Sequence, residues 1–320
     1  MKKNIAVVGC GYWGKNLVRN FYELGSLSAI CDPDKKLSAN FSKVYSVKDL
    51  SYEEVLSDSS INGVVLAVPA PLHASLAIQA MNNKKHVFVE KPLAMNQKEA
   101  EDMIEAAKKN NVKLMVGHLL QYHPVFMHIR KVVNSGELGK LYYISSSRLS
   151  FGKVRSEEDV IWSFAPHDIS MILSLTNHPP HSVRTESSCI LQNNIADTAN
   201  VYMEFDSNLK AQISVSWMHP FKEQKLIVAG ELGMLVFDDT LTWNQKLSFY
   251  NHKIDFNDTL PILNKADVEY INVDESEPLK NECKHFIDVV NTDAKPLTDG
   301  HEGLRALNIL NSVNTSPYES

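Results

Sequence analysis

The run Val87, Phe88, Val89, Glu90, Lys91, Pro92, Leu93, Ala94 constrains the fold of this chain more than any other segment. Its first three residues, β-branched or aromatic, read as a buried strand, and a lysine followed by a proline stands at the carboxyl end. In an open parallel sheet that edge is where ligands bind. Such a tripeptide arises by chance in many proteins. Here it follows a second signal, Gly9, Cys10, Gly11, Tyr12, Trp13, Gly14, placed between a strand at Ile5–Val8 and a helix over residues 15–24.

The glycine spacing also occurs in ordinary tight turns, so its context carries the argument. Leu17, Val18, Phe21 and Leu24 give the next segment one apolar helical face, Gly25 stops it, and Leu27–Cys31 reads as a strand. That strand ends in Asp32, where a dinucleotide fold places the acid that accepts hydrogen bonds from ribose hydroxyls. Gly9 then permits the turn, Gly11 lets a pyrophosphate approach the backbone, and Gly14 lets the helix lie close to the sheet with its positive end toward the phosphates. Tyr12 and Trp13 share the turn and are expected against the cofactor. An acid at Asp32 repels a ribose phosphate, so NAD is expected over NADP, although Lys35 and Lys36 nearby weaken that preference. The competing reading is a helix-start turn beside a solvated aspartate.

At 320 residues the chain has room for about two domains, and 44% hydrophobic residues supply their cores. A formal net charge of -6 without a basic run makes nucleic acid and anionic membrane poor partners. No apolar stretch reaches membrane-spanning length, and the opening residues read as a strand rather than a signal peptide. Cys10, Cys31, Cys189 and Cys283 form no metal-ligand or redox pair by spacing, which fits reduced thiols in a cytoplasmic protein. His118 and His123 lack an acidic partner at helical spacing, and no metal is expected.

The first half alternates strand and helix with short joins, the pattern of a parallel sheet covered on both faces. Strands are expected at 61–69, 86–90 and 112–117, with helices at 74–81 and 97–109. Pro69, Pro71, His73, Glu90, Lys91 and Pro92 then line the carboxyl rim beside the nicotinamide half of a cofactor. Beyond about His118 one helix at 124–134 is followed by a succession of strands, which suggests a second, largely antiparallel α+β domain. The expected division is an NAD-binding Rossmann domain over 1–118 and a substrate-binding, oligomer-forming α+β domain over 119–320. Two closing helices, at 278–291 and about 302–313, are expected to buttress the second domain. Its sheet, with one open face, suits a homodimer or homotetramer.

On these motifs the chain resembles the glucose-fructose oxidoreductase and inositol dehydrogenase family, Gfo/Idh/MocA, over nearly its whole length. The anchors are the turn from Val8 to Gly14, Ala67 to Pro69 with His73, Glu90 to Ala94, Gly136 to Gly139, and His167. The resemblance implies that Lys91 is a catalytic or substrate-orienting residue and that the Lys91–Pro92 bond is cis. Lys91 also has a chemical task of its own: oxidising a secondary alcohol sends hydride off carbon and a proton off oxygen, and a nearby ammonium stabilises the alkoxide-like oxygen. The alternative is a lysine solvated on a surface turn.

Pro166 suits a first helical position, so His167 stands in a first helical turn, whose positive end disfavours imidazolium and leaves a neutral proton acceptor. On the residues alone it equally packs or caps; the resemblance implies a catalytic role, with the division of labour between Lys91 and His167 as base left open. Ser163 stands where many relatives carry Asp, which removes one partner from a proton relay. The stretch from Arg148 to Asp168, with Trp217 to Lys225, is similar to the branch that oxidises nucleotide-linked N-acetyl sugars at the third carbon. That implies UDP-GlcNAc or UDP-GlcNAcA as substrate and an aminotransferase acting on the keto product, for surface glycans such as lipopolysaccharide. Arg148, Lys153 and Arg155 are candidate pyrophosphate donors, or equally a solvated charged loop. The resemblance puts Tyr122 and His123 against substrate, with Gln121 where relatives often carry Arg. The rivals are an inositol or free-sugar dehydrogenase and a non-catalytic sensor of NAD or a sugar nucleotide.

Overall fold

A computed structural model describes residues 4–257 and 260–313. The chain divides into two compact units, Met1–Tyr122 with Ser276–Asn308, and His123–Glu275 with Ile309–Ser320.

The first unit runs β1 (Ile5–Val8), α1 (Gly14–Glu23), β2 (Leu27–Cys31), α2 (Lys35–Tyr45), β3 (Lys48–Asp49), α3 (Tyr52–Ser57), β4 (Gly63–Leu66), α4 (His73–Asn82), β5 (His86–Glu90), α5 (Gln97–Asn110) and β6 (Leu114–Gly117). Its strands form one parallel sheet in the order β3-β2-β1-β4-β5-β6. The near-continuous apolar strands follow from that topology, since helices cover both faces and Ile5, Val7, Val65, Phe88 and Met115 are wholly buried. The order reverses between β1 and β4, which opens a crevice at their carboxyl ends. Side-chain caps start helices α2 and α3, and Leu37, Phe41 and Tyr45 of α2 pack against the core. Asp34 accepts from the backbone of Lys36 and Leu37, and Ser51 with Glu54 forms a capping box.

The second unit runs α6 (Pro124–Ser135), β7 (Leu141–Phe151), α7 (Val160–Phe164), α8 (Pro166–Thr176), β8 (Ser182–Ser188), β9 (Thr198–Glu204), β10 (Lys210–Ser216), β11 (Met218–Gly230), β12 (Gly233–Asp238), β13 (Leu247–Tyr250), β14 (Lys253–Asn257), β15 (Leu260–Asn264) and β16 (Val268–Tyr270). Among the described residues eight of these strands form one sheet, β16-β13-β12-β11-β7-β10-β9-β8, antiparallel except where β7 meets β10. Alternation along β9 and β10 turns Ala199, Val201, Met203, Ala211, Ile213 and Val215 to the buried face. The expected mainly antiparallel α+β arrangement is therefore present. The register of β11 against β7 breaks between Met218 and Glu223.

The closing segment departs from expectation. Helix α9 (Pro278–Thr292) and the start of α10 (Gly300–Ser312) belong to the first unit rather than buttressing the second. Leu279, Cys283, Phe286 and Ile287 join Ile5, Val7, Phe21 and Phe88 in one core. The Phe286 ring lies 6.2 Å edge-on from Phe21 and 5.6 Å from Phe88. Gly63 leaves the space, because a Cβ there would press on Phe286 and Val290.

Among the described residues no helix is long and apolar enough to cross a membrane, and no group of three potential ligands could hold a metal ion. All four cysteines are free thiols.

Candidate active site

The turn between β1 and α1 behaves as its glycines predict. Gly9 adopts φ +91°, and a Cβ there would strike the Ala67 carbonyl, while one on Gly14 would strike the Gly9 carbonyl. Around Gly11 the position a Cβ would take is open, with no neighbouring atom within 4 Å. The turn is thus tight at its first and third glycines and accessible at its second, as a pyrophosphate on the backbone requires. Asp32, at the end of β2, accepts from the Cys10 backbone N–H at 2.6 Å and from that of Asp34 at 2.9 Å. A carboxylate has about four acceptor positions, so two bonds to the backbone leave capacity for ribose hydroxyls. A cavity of about 460 Å³ adjoins it, lined by Gly9, Gly11, Asp32, Tyr52, Pro69 and Leu76 among others. Those residues fit a nicotinamide dinucleotide. Burial pushes the Cys10 thiol up to about 12 and the Cys31 thiol to about 11, so neither is reactive.

At the carboxyl end of β5 the Lys91–Pro92 bond is cis, as the resemblance implies. His73 fixes this turn. Its Nδ1 lies 2.7 Å from the Pro92 carbonyl and its Nε2 3.0 Å from the Val68 carbonyl, and the ring is buried. Burial also lowers its pKa, opposed by those two contacts. The expectation that His73 faces the cofactor is corrected: its ring nitrogens tie the loop after β4 to the lysine turn. Glu90 Oε1 accepts from the Trp13 indole N–H at 2.6 Å, and Oε2 from the Lys91 backbone N–H at 3.3 Å. Burial raises the Glu90 carboxyl to about 6, against the opposing pull of Trp13, Lys91 and His118. Trp13 thus joins the glycine turn to the lysine turn, whereas Tyr12 is exposed.

Tyr122, expected against substrate, is instead in the core of the first unit. It is 2% exposed and its hydroxyl lies 3.0 Å from Thr298 Oγ1. His123 caps α6 through Val125 N–H and stacks on Trp243.

In the second unit Pro166 opens α8 and puts His167 in its first turn, as expected. The next residue, Asp168, anchors that turn: it accepts from Ser146 Oγ at 2.5 Å and from Arg148 Nε at 2.6 Å and Nη2 at 3.2 Å. Arg148, expected to meet a ligand phosphate, is held by Asp168, in the bidentate geometry arginine favours. Arg155 pairs with Glu158 at 3.1 Å. Sequence reasoning missed Asp168, Glu282 and Glu302. All three are buried acids, and Glu282 lies on the apolar stripe of α9 made by Leu279, Cys283 and Phe286, where its charge is the readable anomaly.

A parallel sheet that reverses order at a glycine turn, with an acid ending β2, defines the first unit as a dinucleotide-binding fold of the kind oxidoreductases use. Residues 3–118 match the NAD-binding Rossmann domain of the Gfo/Idh/MocA oxidoreductases, and residues 126–236 match the C-terminal domain of the same family. The chain belongs to the Gfo/Idh/MocA oxidoreductase family. It is 25% identical to a 2,7-anhydro-N-acetylneuraminate hydratase of Escherichia coli over 73% of its length and 67% of that protein's. With the scyllo-inositol 2-dehydrogenase (NAD(+)) of Bacillus subtilis it shares 28% identity over 68% of each. Identity to the UDP-N-acetylglucosamine 3-dehydrogenase of Acidithiobacillus ferrooxidans is 22%, but over 94% of this chain and 93% of that one. The solved structure of that enzyme superposes with a TM-score of 0.84 at 22% identity, covering 96% of this chain and 95% of that chain. The WlbA dehydrogenase of Bordetella pertussis, in complex with NADH and UDP-GlcNAcA, superposes at 0.77 and 20% identity, covering 97% and 95%.

Proposed function

We propose that the protein is an NAD-dependent dehydrogenase that oxidises the C3 hydroxyl of a UDP-linked N-acetylhexosamine, UDP-GlcNAc or UDP-GlcNAcA, to the 3-keto sugar nucleotide. The observation that carries this is Lys91, on a turn tied by Glu90 and Trp13 to the glycine turn. NAD, when bound, accepts the hydride. Lys91 orients the hydroxyl and stabilises negative charge on its oxygen, and His167, in the first turn of α8, takes the proton. Gly9, Gly11, Gly14 and Asp32 hold the dinucleotide, with Trp13, Pro69 and Glu90 around it, and Lys153 and Arg155 are the remaining candidates for the substrate pyrophosphate. The sugar-nucleotide reading is supported by the match to a UDP-N-acetylglucosamine 3-dehydrogenase along almost the whole of both chains. In this reading the protein works in the cytoplasm as a homodimer or homotetramer, and an aminotransferase consumes its product.

The test is a single-turnover absorbance trace of cofactor-stripped protein, reloaded with NAD and mixed with either sugar nucleotide. NADH should form with one of them, and Lys91→Ala and His167→Ala should each slow it about 10²- to 10⁴-fold. A flat trace with both, despite NAD binding, discards the nucleotide sugar. The inositol dehydrogenase, at 28% identity, favours a free polyol as second reading; NADH formation from an inositol, uncompeted by UDP, would establish that one.

A further inference from the structure

The connection from β7 to α8 carries Lys153, Arg155 and, at its far end, His167, the groups assigned above to the sugar nucleotide. Residues 152–159 lie in no helix or strand, and 152–154 are exposed. A stretch of that kind is mobile unless it is tied down. Four contacts tie it. The Gly152 N–H donates to the Trp217 carbonyl at 3.1 Å, and the Val160 N–H, which opens α7, donates to the Ala196 carbonyl at 3.0 Å. The Arg155 carbonyl accepts from Gln192 Nε2 at 2.7 Å. The Phe164 ring, at the end of α7, meets the Trp217 indole edge-on with centroids 6.5 Å apart.

Every one of these contacts ends on Trp217 or on the loop that joins β8 to β9, and Asp197 holds both. Asp197 is wholly buried. Its Oδ2 accepts from the backbone N–H groups of Ile190 and Leu191, each at 2.7 Å, and its Oδ1 accepts from the Trp217 indole N–H at 2.6 Å. Its own N–H closes the loop on the Ser188 carbonyl at 2.9 Å. Ile190, Leu191 and Trp217 all stand between strands, so the carboxyl orders connections rather than a sheet ladder. We infer that Asp197 is a positioning residue for the substrate: one oxygen holds the 189–196 loop, the other holds Trp217, and together they set the segment that presents Lys153, Arg155 and His167 to the sugar nucleotide. The task needs two acceptor oxygens, because three N–H donors converge on this side chain. An amide offers one oxygen and an NH₂ group, so in Asp197→Asn one arm meets a donor instead of an acceptor.

The ligand named here rests on the proposed dehydrogenase reading, whereas the order of the segment does not, so amide hydrogen exchange of the free protein is measured first. In Asp197→Asn the amides of residues 152–164 should exchange about ten- to a hundredfold faster than in wild type, while α6, β12 and β13 keep their rates. Trp217→Phe removes the indole donor but leaves a ring against Phe164, and should give the same pattern. The double variant should exchange no faster than Asp197→Asn, because both changes cut one bond. On whichever sugar nucleotide the wild type oxidises, Asp197→Asn should lower kcat/KM for the sugar about ten- to a hundredfold and leave KM for NAD unchanged. Unchanged exchange at 152–164 overturns the proposal. So does an acceleration that spreads through α6, β12 and β13, or a KM for NAD that rises as well, since either marks a side chain that only stabilises the fold. Loss of the native circular dichroism in both single variants overturns it for the same reason. A wild type that oxidises neither sugar nucleotide strikes the dehydrogenase reading, and exchange alone then decides for or against Asp197.

Discussion

Glu90 shows what a single half-buried acid does to the pH dependence of this fold. Its carboxyl is raised from an ordinary value near 4.5 to about 6, chiefly by burial. A group raised in the folded state favours the protonated form there, so its contribution to stability is complete below pH 4.5 and is lost as the pH climbs through 6. The loss amounts to about 2 kcal/mol. Glu90→Gln carries no such charge, so its stability relative to wild type should rise between pH 4.5 and 7. Urea unfolding of both proteins at the two pH values measures this, and a constant difference would refute the burial argument. At this scale the sequence placed residues on the backbone better than it told what their side chains touch. The positions of Lys91, the three glycines and Asp32 at strand ends and in the turn were legible because apolar strands and glycine spacing mark them. His73, Tyr122 and Arg148 were misread because their partners, Pro92, Thr298 and Asp168, are chosen by tertiary packing that spacing does not encode.

Elements were legible where apolar periodicity is strong. Strands β1, β2 and β5 lie where their alternation with glycine turns put them, and α5 and α6 end within a residue of expectation. Helix α2 was not seen although Leu37, Phe41 and Tyr45 give it a stripe against the core, and α3 is a six-residue helix marked chiefly by its capping box. Helix α9 was seen, but periodicity says only that a helix has a face to bury, not which core receives it. That face meets Phe21 and Phe88 through Phe286, which is wholly buried. Phe286→Ala should therefore destabilise the first unit by about 3–5 kcal/mol. A thermal or urea transition that follows NAD binding reports on that unit, and a loss below about 1 kcal/mol would mean that α9 lies on the sheet without supporting it.

For the molecule as a whole, the first unit takes its sheet from residues before 122 and part of its core from residues after 276. Such closure places Glu302 against His118 and Thr298 against Tyr122. A chain stopped after Glu275 keeps every glycine of the cofactor turn, Asp32, Lys91 and His167. It lacks the side chains of α9 that cover Ile5, Val7, Phe21 and Phe88, and an uncovered apolar face of that kind is an association surface. We expect the truncated chain to aggregate or to lose cooperative unfolding, and its affinity for NAD to fall at least about tenfold, the equivalent of 1.4 kcal/mol. Fluorescence titration with NADH, beside sedimentation of the same sample, separates the two outcomes. Unimpaired binding by a monodisperse truncated protein would show that the dinucleotide site forms without α9 and α10.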